Sequence, residues 1–209
     1  MVVSDYASCT HLASPRLLRT QKFICALAHA PVVISTNFVD ECLSENKALD
    51  PDDHPLEDTE GEERMSLKLS DALARAKENE GKLLKGYSIY CTESVHGGFD
   101  TYKSIVEVNG GKCLLYRARA GTGSMRAGLD EDSDASESSQ VDSVYLISGT
   151  TVEESKLWPK FRQMVESMGK KPVVAATNWM LDLALSQEIK WKDIYALSEK
   201  DIGTEPPKA

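Results

Sequence analysis

Residues 17–27 read Leu17-Leu18-Arg19-Thr20-Gln21-Lys22-Phe23-Ile24-Cys25-Ala26-Leu27, a stretch that is cationic at its front and apolar at its end. Thr20 can cap a helix here, because its side-chain oxygen accepts a hydrogen bond from a backbone N–H of the first turn. The stretch therefore predicts a short amphipathic helix that begins after Thr20. Its apolar stripe has helical spacing and consists of Phe23, Ile24, Leu27 and Ala28.

Two cations at the front of this helix suggest an anion site. Arg19 and Lys22 are three positions apart, so both side chains can lie on one side of the first turn. A helix N-terminus carries unpaired N–H groups and partial positive charge, and phosphate is a natural ligand there. A core helix with two solvated cations on its outer face explains the same residues. The pattern alone leaves both interpretations open.

The chain contains an internal repeat. Several short motifs recur in the same order, and from the Pro-Val-Val motif onward the offset between the copies is constant. An ordered series at one offset indicates a duplication. The matched pairs are Lys22-Phe23 with Lys160-Phe161, Pro31-Val32-Val33 with Pro172-Val173-Val174, Thr36-Asn37-Phe38 with Thr177-Asn178-Trp179, and Leu56 with Leu197.

The two copies differ at their beginning. The second copy has a strand, a Gly-Gly turn and a helix within residues 84–111, before a strand at 113–116. The first copy begins at Val2-Val3, which corresponds to that later strand, so we expect it to lack its opening strand and helix. The reason could be a fragment, a misplaced gene start or an incompletely folded unit. Since the absent strand could be a central one, its loss would expose sheet edges.

The predicted fold class is α/β, with two repeats that each form a small parallel sheet flanked by helices. We expect a first repeat at residues 1–56 and a second at 83–205. Between them, residues 57–82 would comprise a solvated acidic segment and a linker helix capped by Ser66. The Gly-, Ser- and Asp-rich insert at 119–142 is predicted to be disordered from its composition.

Composition excludes several function classes. The formal net charge of −9 argues against general DNA binding, and no apolar run is long enough to cross a bilayer. Five cysteines without a C-x-x-C pair predict reduced thiols rather than disulfides or a zinc site. Because no acid–base–nucleophile set is recognisable, we expect no enzyme activity, no cofactor and no metal.

The pattern resembles tandem BRCT repeats. Thr10–Leu12 precedes Arg-Thr-x-Lys-Phe at 19–23, Trp179 opens the last helix of the second copy, and Phe38 stands at that position in the first. A helical linker at 66–76 runs into the strand at 83–90. These residues look most like the C-terminal BRCT pair of DNA-damage mediator proteins. Within those, they are most similar to the fungal genome-maintenance scaffolds that read the phosphorylated tail of histone 2A.

The resemblance implies roles for individual residues. Lys22 would contact the phosphate of a phosphoserine peptide, and Thr20 would hold the helix start beside it. Arg19 would contact the peptide main chain beyond the phosphoserine and the terminal carboxylate. In the family, a Ser or Thr hydroxyl and an adjacent Gly N–H from the opening strand and its turn complete the pocket, and those residues are absent here.

Further residues could read the peptide after the phosphate. The candidates for this specificity groove are Ile24, the loop from Thr92 to Gly98, Thr177 and Asn178, although ordinary packing and helix capping explain them equally well. Thr92 with Lys160 could form a second phosphate pocket. A different alternative is a scaffold that binds partners without phosphate.

The resemblance also implies a cellular role. It predicts a nuclear module that binds a phosphorylated histone 2A tail and other repair proteins, with no direct contact to DNA or membranes.

Overall fold

The structure is a computed structural model that describes residues 5–117 and 142–204. Val2-Val3 and almost all of the 119–142 insert lie outside the described residues. The chain divides into two compact units. The first runs to Leu83 and includes Leu183–Ile189, and the second comprises Leu84–Asp182 and the chain from Lys190 onward.

The first unit contains a two-stranded sheet with helices. In chain order its elements are β1 (His11–Ser14), α1 (Gln21–Leu27), β2 (Val32–Ser35), α2 (Asn37–Ser44), a 3-10 helix (Pro51–Asp53), α3 (Thr59–Met65) and α4 (Leu69–Asn79). β1 and β2 pair in parallel, with His11 opposite Val32 and Ser14 opposite Ser35. Phe23, Ile24 and Leu27 of α1 are buried, as the predicted stripe requires.

The second unit contains a four-stranded parallel sheet. Its elements are β3 (Ser88–Thr92), α5 (Phe99–Val108), β4 (Lys112–Tyr116), β5 (Ser143–Ser148), α6 (Val152–Ser155), α7 (Trp158–Ser167), β6 (Lys171–Ala176), α8 (Thr177–Ser186) and two 3-10 helices (Asp193–Tyr195 and Glu199–Asp201). The last residues of α8, from Leu183 onward, belong to the first unit. The strand order is β4-β3-β5-β6. The opening strand of this unit is therefore a central one, and the predicted α/β class with parallel sheets is confirmed.

Backbone hydrogen bonds reproduce the internal repeat. Leu56 N donates to Val33 O at 3.0 Å in the first unit, and Leu197 N donates to Val174 O at 2.9 Å in the second. Donor and acceptor are displaced by the same 141 positions between the units. The constant spacing thus reflects a shared structure. In each unit, the segment around the matched leucine pairs with the outer edge of the last strand, which is β2 in the first unit and β6 in the second.

One prediction for the region between the repeats is wrong, namely the start of the linker helix. Within residues 57–65, which are mostly exposed or half-buried, α3 forms with Asp58 as its N-cap. The next helix begins at Leu69 and not at Ser66, which instead adopts a left-handed conformation (φ 50°) and ends α3. Acidic residues in the first turn of α3 favour the helix through its dipole. The apolar stripe of α4 is buried at Leu69, Ala72 and Ala76.

All five cysteines are free thiols. Burial raises the pKa of Cys25 to about 11 and that of Cys113 to about 12, and it raises the pKa of Cys91 further. Because only the thiolate reacts, the raised pKa and the burial of these three side chains slow their reaction at neutral pH. Burial also raises the pKa of Cys9, but that side chain is partly exposed. We expect iodoacetamide to label the half-buried Cys9 and Cys42 of the native protein first, by mass spectrometry.

The control for this labelling experiment is the protein unfolded in concentrated guanidinium, where all five thiols should react at similar rates. Rapid native labelling of Cys25, Cys91 or Cys113 would contradict the prediction.

Candidate functional site

The loop that leads into α1 is fixed by three hydrogen bonds. Ser14 Oγ donates to Arg16 O at 2.7 Å, and Leu17 N donates to a carboxylate oxygen of Asp58 at 2.7 Å. Thr20 Oγ1 accepts from Phe23 N at 3.4 Å, which confirms Thr20 as the N-cap of α1. The segment that carries Arg19 is therefore tied down on both sides of that residue.

Arg19 and Lys22 lie in different environments. Arg19 immediately precedes the cap, is half-buried and has its Nε atom inside the protein. Lys22 is the second residue of α1. Its side chain is exposed, whereas the residues that follow it in the helix are buried. Within residues 5–117 and 142–204, Lys22 makes no ion pair. An exposed ammonium group next to a fixed helix start can bind an anion from solvent.

Asp58 is a positioning residue that the sequence analysis missed. Its carboxylate accepts hydrogen bonds from Leu17 N and from Gly61 N, the latter at 2.9 Å. These two bonds lower the pKa of Asp58, with a further contribution from the nearby charges of Arg64 and Arg16. The carboxylate therefore joins the start of α3 to the loop before α1. An Asp before a helix with acidic residues in its first turn is an N-cap signal that could have located it.

The lowered pKa of Asp58 predicts an acid sensitivity. A depressed folded-state pKa contributes stability that is present above the ordinary value of 3.8 and is lost as the pH falls through the lower folded value. We expect the unfolding free energy, measured with urea between pH 7 and pH 3, to fall less below pH 4 in Asp58→Asn than in the wild type.

The exposed neighbour Glu57 provides the matched control for this acid-sensitivity measurement. Glu57→Gln should show the same pH dependence as the wild type. Superimposable curves for Asp58→Asn and the wild type would refute the assignment.

The predicted groove residues occupy different units. Ile24 lies in α1 of the first unit and is completely buried, which favours a packing role. Thr177 and Asn178 begin α8 in the second unit, where Thr177 is buried and Asn178 is half-buried. Their assignment to a peptide groove stays a prediction.

The second unit contains a buried carboxylate where the resemblance would place a second phosphate pocket. Thr92 Oγ1 donates to Glu154 Oε1 at 2.6 Å, and Gly149 N donates to the same oxygen at 2.9 Å. Thr151 Oγ1 donates to Glu154 Oε2 at 2.9 Å. Both Thr92 and Glu154 are buried. The donors that could hold a phosphate are thus already bound to an anion from the chain itself.

This arrangement overturns the alternative of a second phosphate pocket at Thr92 and Lys160. Thr92 is fully buried, and its hydroxyl donates to Glu154. A phosphate at this position would be repelled by the carboxylate. Lys160 is exposed on α7. The sequence Thr151-Val152-Glu153-Glu154 has the capping-box pattern, which is the signal that could have identified Glu154.

The described residues show no sign of a metal centre or a membrane span. In residues 5–117 and 142–204, no three His, Cys, Asp or Glu side chains are grouped so that they could hold a metal ion. Across the same residues, none of the helices has both the length and the apolar character required to span a bilayer.

Solved structures define the class of this fold. The BRCT5-BRCT6 domains of Schizosaccharomyces pombe Brc1 match with a TM-score of 0.69 and 26% identity, covering 95% of this chain and 86% of that one. The complex of Rtt107p with phosphorylated histone 2A has the same fold, with a TM-score of 0.61, 15% identity and coverage of 90% and 76%. The chain is therefore a tandem BRCT-repeat protein.

Sequence comparisons give the more particular relationship. Residues 1–56 match the family model described as Regulator of Ty1 transposition protein 107 BRCT domain. BRCT-containing protein 1 of S. pombe is 30% identical over 197 residues, which are 92% of this chain and 21% of that protein. Human Mediator of DNA damage checkpoint protein 1 is 34% identical over 108 residues, 52% of this chain and 5% of that protein. The chain thus spans about a fifth, or less, of these relatives.

Proposed function

We propose that this chain is a phosphopeptide-binding module of a DNA-damage scaffold, and that its ligand is the phosphorylated C-terminal tail of histone 2A. The observation that carries the proposal is Lys22, an exposed cation beside a capped helix start, with Arg19 three positions earlier on a fixed loop. The fold shared with the complex of Rtt107p and phosphorylated histone 2A supports this choice of ligand.

The two cations suit two different anionic groups. A phosphoserine carries a charge of about −1.5 to −2 and three strong acceptor oxygens, which a lysine ammonium binds as a point charge. Arginine binds a planar carboxylate through two parallel hydrogen bonds, which suits the peptide's terminal carboxylate. Each charged hydrogen bond contributes about 1.5–3 kcal/mol. Lys22 would therefore give phosphate dependence, and Arg19 would fix the distance from the phosphate to the peptide end.

The described part of the first unit supplies the cationic side of the pocket. The Ser or Thr hydroxyl and Gly N–H that complete the pocket in the family come from the opening strand and its turn, which have no counterpart among residues 5–83. Thr20 contributes by capping α1 and so holding Lys22 in place.

Calorimetric titration with four tail peptides tests the proposal. The peptides are phosphorylated or unphosphorylated, each with a free or an amidated C-terminus. We expect the phosphorylated free-acid peptide to bind at least tenfold more tightly than its unphosphorylated form. Amidation should weaken binding to the wild type and have no effect on Arg19→Met. Equal affinity for the phosphorylated and unphosphorylated peptides would refute the proposal.

A phosphate-independent interaction scaffold is the second candidate. The exposed apolar side chains of α2 favour it, because Val39 and Leu43 contribute to a surface that could bind a partner without charge. This function predicts that capture of partners is insensitive to phosphatase treatment. Under either function we expect a nuclear protein that contacts other repair proteins, without catalysis and without direct DNA binding.

A further inference from the structure

The carboxylate of Glu154 is buried in the second unit among neutral hydrogen-bond donors. Its two oxygens accept bonds from Thr92 Oγ1, Gly149 N and Thr151 Oγ1 at 2.6, 2.9 and 2.9 Å, respectively. Within residues 5–117 and 142–204, no cationic side chain forms an ion pair with it. Buried carboxylates are normally paired with a cation or bound to a metal. Here two hydroxyl groups and one backbone N–H alone form a site that holds an anionic group.

The backbone at Gly149 leaves space for this carboxylate. A Cβ atom at position 149 would overlap Oε2 of Glu154, so any side chain there would collide with the carboxylate. The N–H of Gly149 donates to the other carboxylate oxygen. Glycine is the residue that lets the backbone approach a ligand closely. The group that occupies the ligand position at this glycine belongs to the chain itself.

The internal repeat shows that Glu154 lies in a longer segment than its counterpart in the first unit. Strand register makes Ser14, the last residue of β1, the counterpart of Ser148, the last residue of β5. Lys22 lies 8 positions after Ser14, whereas its counterpart Lys160 lies 12 positions after Ser148. The second unit therefore has four more residues here, and the four-residue helix α6 lies in this segment. Residues 15–20 of the first unit, all of them described, contain no helix.

Three separate segments bring the donors to Glu154. Thr92 ends β3, Gly149 follows β5, and Thr151 caps α6. The two oxygens of a planar carboxylate must serve all three donors, and Oε1 accepts from two of them. A tetrahedral anion has enough terminal oxygens to give each donor its own acceptor. The donor arrangement thus suits a tetrahedral oxyanion at least as well as the carboxylate.

We propose that the second unit contains a binding site for a tetrahedral oxyanion, of the class of phosphate or sulfate, and that Glu154 of α6 occupies it as an internal substitute. The donors are Thr92 Oγ1, Gly149 N and Thr151 Oγ1. In the wild type the site is closed to anions from solvent, because a second anion would be repelled by the carboxylate. The inference concerns the second unit alone and does not depend on peptide binding at α1.

Chemical rescue of Glu154→Ala tests the proposal. The substitution removes four heavy atoms beyond Cβ, and a phosphate ion with five heavy atoms can take their place. Melting temperatures are compared at pH 7 in sodium phosphate, sodium acetate and sodium chloride of equal ionic strength. Phosphate should raise the melting temperature of Glu154→Ala by about 4 °C or more over chloride, and the rise should saturate with concentration as ligand binding requires. Acetate should have a smaller effect.

Matched variants separate binding at this site from other effects of phosphate. The wild type and Glu153→Ala should show only the general stabilisation by a kosmotropic anion, which does not saturate. Thr92→Val replaces the donor hydroxyl with a methyl group, so in the Glu154→Ala background it should remove most of the rescue. Lys22→Met in the same background removes the cation at α1 and should leave the rescue intact.

Several outcomes would overturn the proposal. One is a phosphate effect on Glu154→Ala no larger than that on the wild type. A larger effect of acetate than of phosphate is another, because it would mean that the cavity selects planar carboxylates. If Glu154→Ala is unfolded in chloride, phosphate should restore its helical circular dichroism. A chain that stays unfolded in phosphate would refute the proposal as well.

Discussion

Replacing Glu154 with alanine should destabilise the protein by about 2–5 kcal/mol. The carboxylate accepts hydrogen bonds from Thr92, Gly149 and Thr151, and Thr92 is buried away from water. A buried donor left without an acceptor costs about 1–3 kcal/mol, and the space vacated by the side chain adds to that cost. Urea denaturation monitored by tryptophan fluorescence measures the change.

Two variants make the Glu154 prediction specific. Glu154→Gln keeps the volume and one acceptor oxygen, so it should lose less stability than Glu154→Ala. Glu153→Ala removes the neighbouring exposed carboxylate of α6 and should change stability by less than about 0.5 kcal/mol. If Glu154→Ala were as stable as Glu153→Ala, the carboxylate would not hold the loop between β5 and α6 together.

Replacing Lys22 with methionine should weaken binding of the phosphorylated tail peptide roughly 10- to 150-fold, which corresponds to one charged hydrogen bond of about 1.5–3 kcal/mol. Methionine is also unbranched and has a similar helix propensity, but it lacks the charged ammonium group and its N–H donors. Affinity for the unphosphorylated peptide should not change. Calorimetry with both peptides measures the two effects separately.

The internal repeat provides a matched control for Lys22. Lys160 is its counterpart, is also exposed and also lies in the first turn of a helix, but it is in the unit whose potential pocket is filled by Glu154. Lys160→Met should therefore bind both peptides as the wild type does. Equal losses in the two variants would mean that long-range charge, rather than a site at α1, attracts the peptide. Unchanged binding in Lys22→Met would remove Lys22 from the site.

The elements with strong local signals were predictable from the sequence. α1 begins after Thr20 as expected, and α5 (Phe99–Val108) forms within residues 84–111, where a helix was predicted, because a Gly-Gly turn precedes it and an Asn-Gly-Gly sequence follows. The duplication was also readable, since the Pro-Val-Val strand and the Leu that returns to it keep one offset. The BRCT fold was expected from a resemblance to that family, which the Arg-Thr-x-Lys-Phe motif, Trp179 and the helical linker carry.

The interactions that were missed join residues far apart in the sequence. Asp58 bonds to Leu17 across 41 positions and Glu154 bonds to Thr92 across 62. The local capping patterns mark Asp58 and Glu154 as caps, but they do not show which distant residue each one contacts. Composition at residues 57–65 predicted only a solvated acidic segment and gave no indication of the helix α3 that forms there. A helix can begin in such a segment when an Asp caps it and acidic side chains lie near its positive end.

The carboxylate of Glu154 in the second unit also bears on how many phosphate groups the two units could bind. Under the proposed function, Glu154 occupies the donors of that unit, so the described residues would offer one phosphate site, the one at α1. Tighter engagement with a chromatin region carrying many such marks would then require several chains on one scaffold or in one assembly, with the gain set by linker lengths and effective concentration.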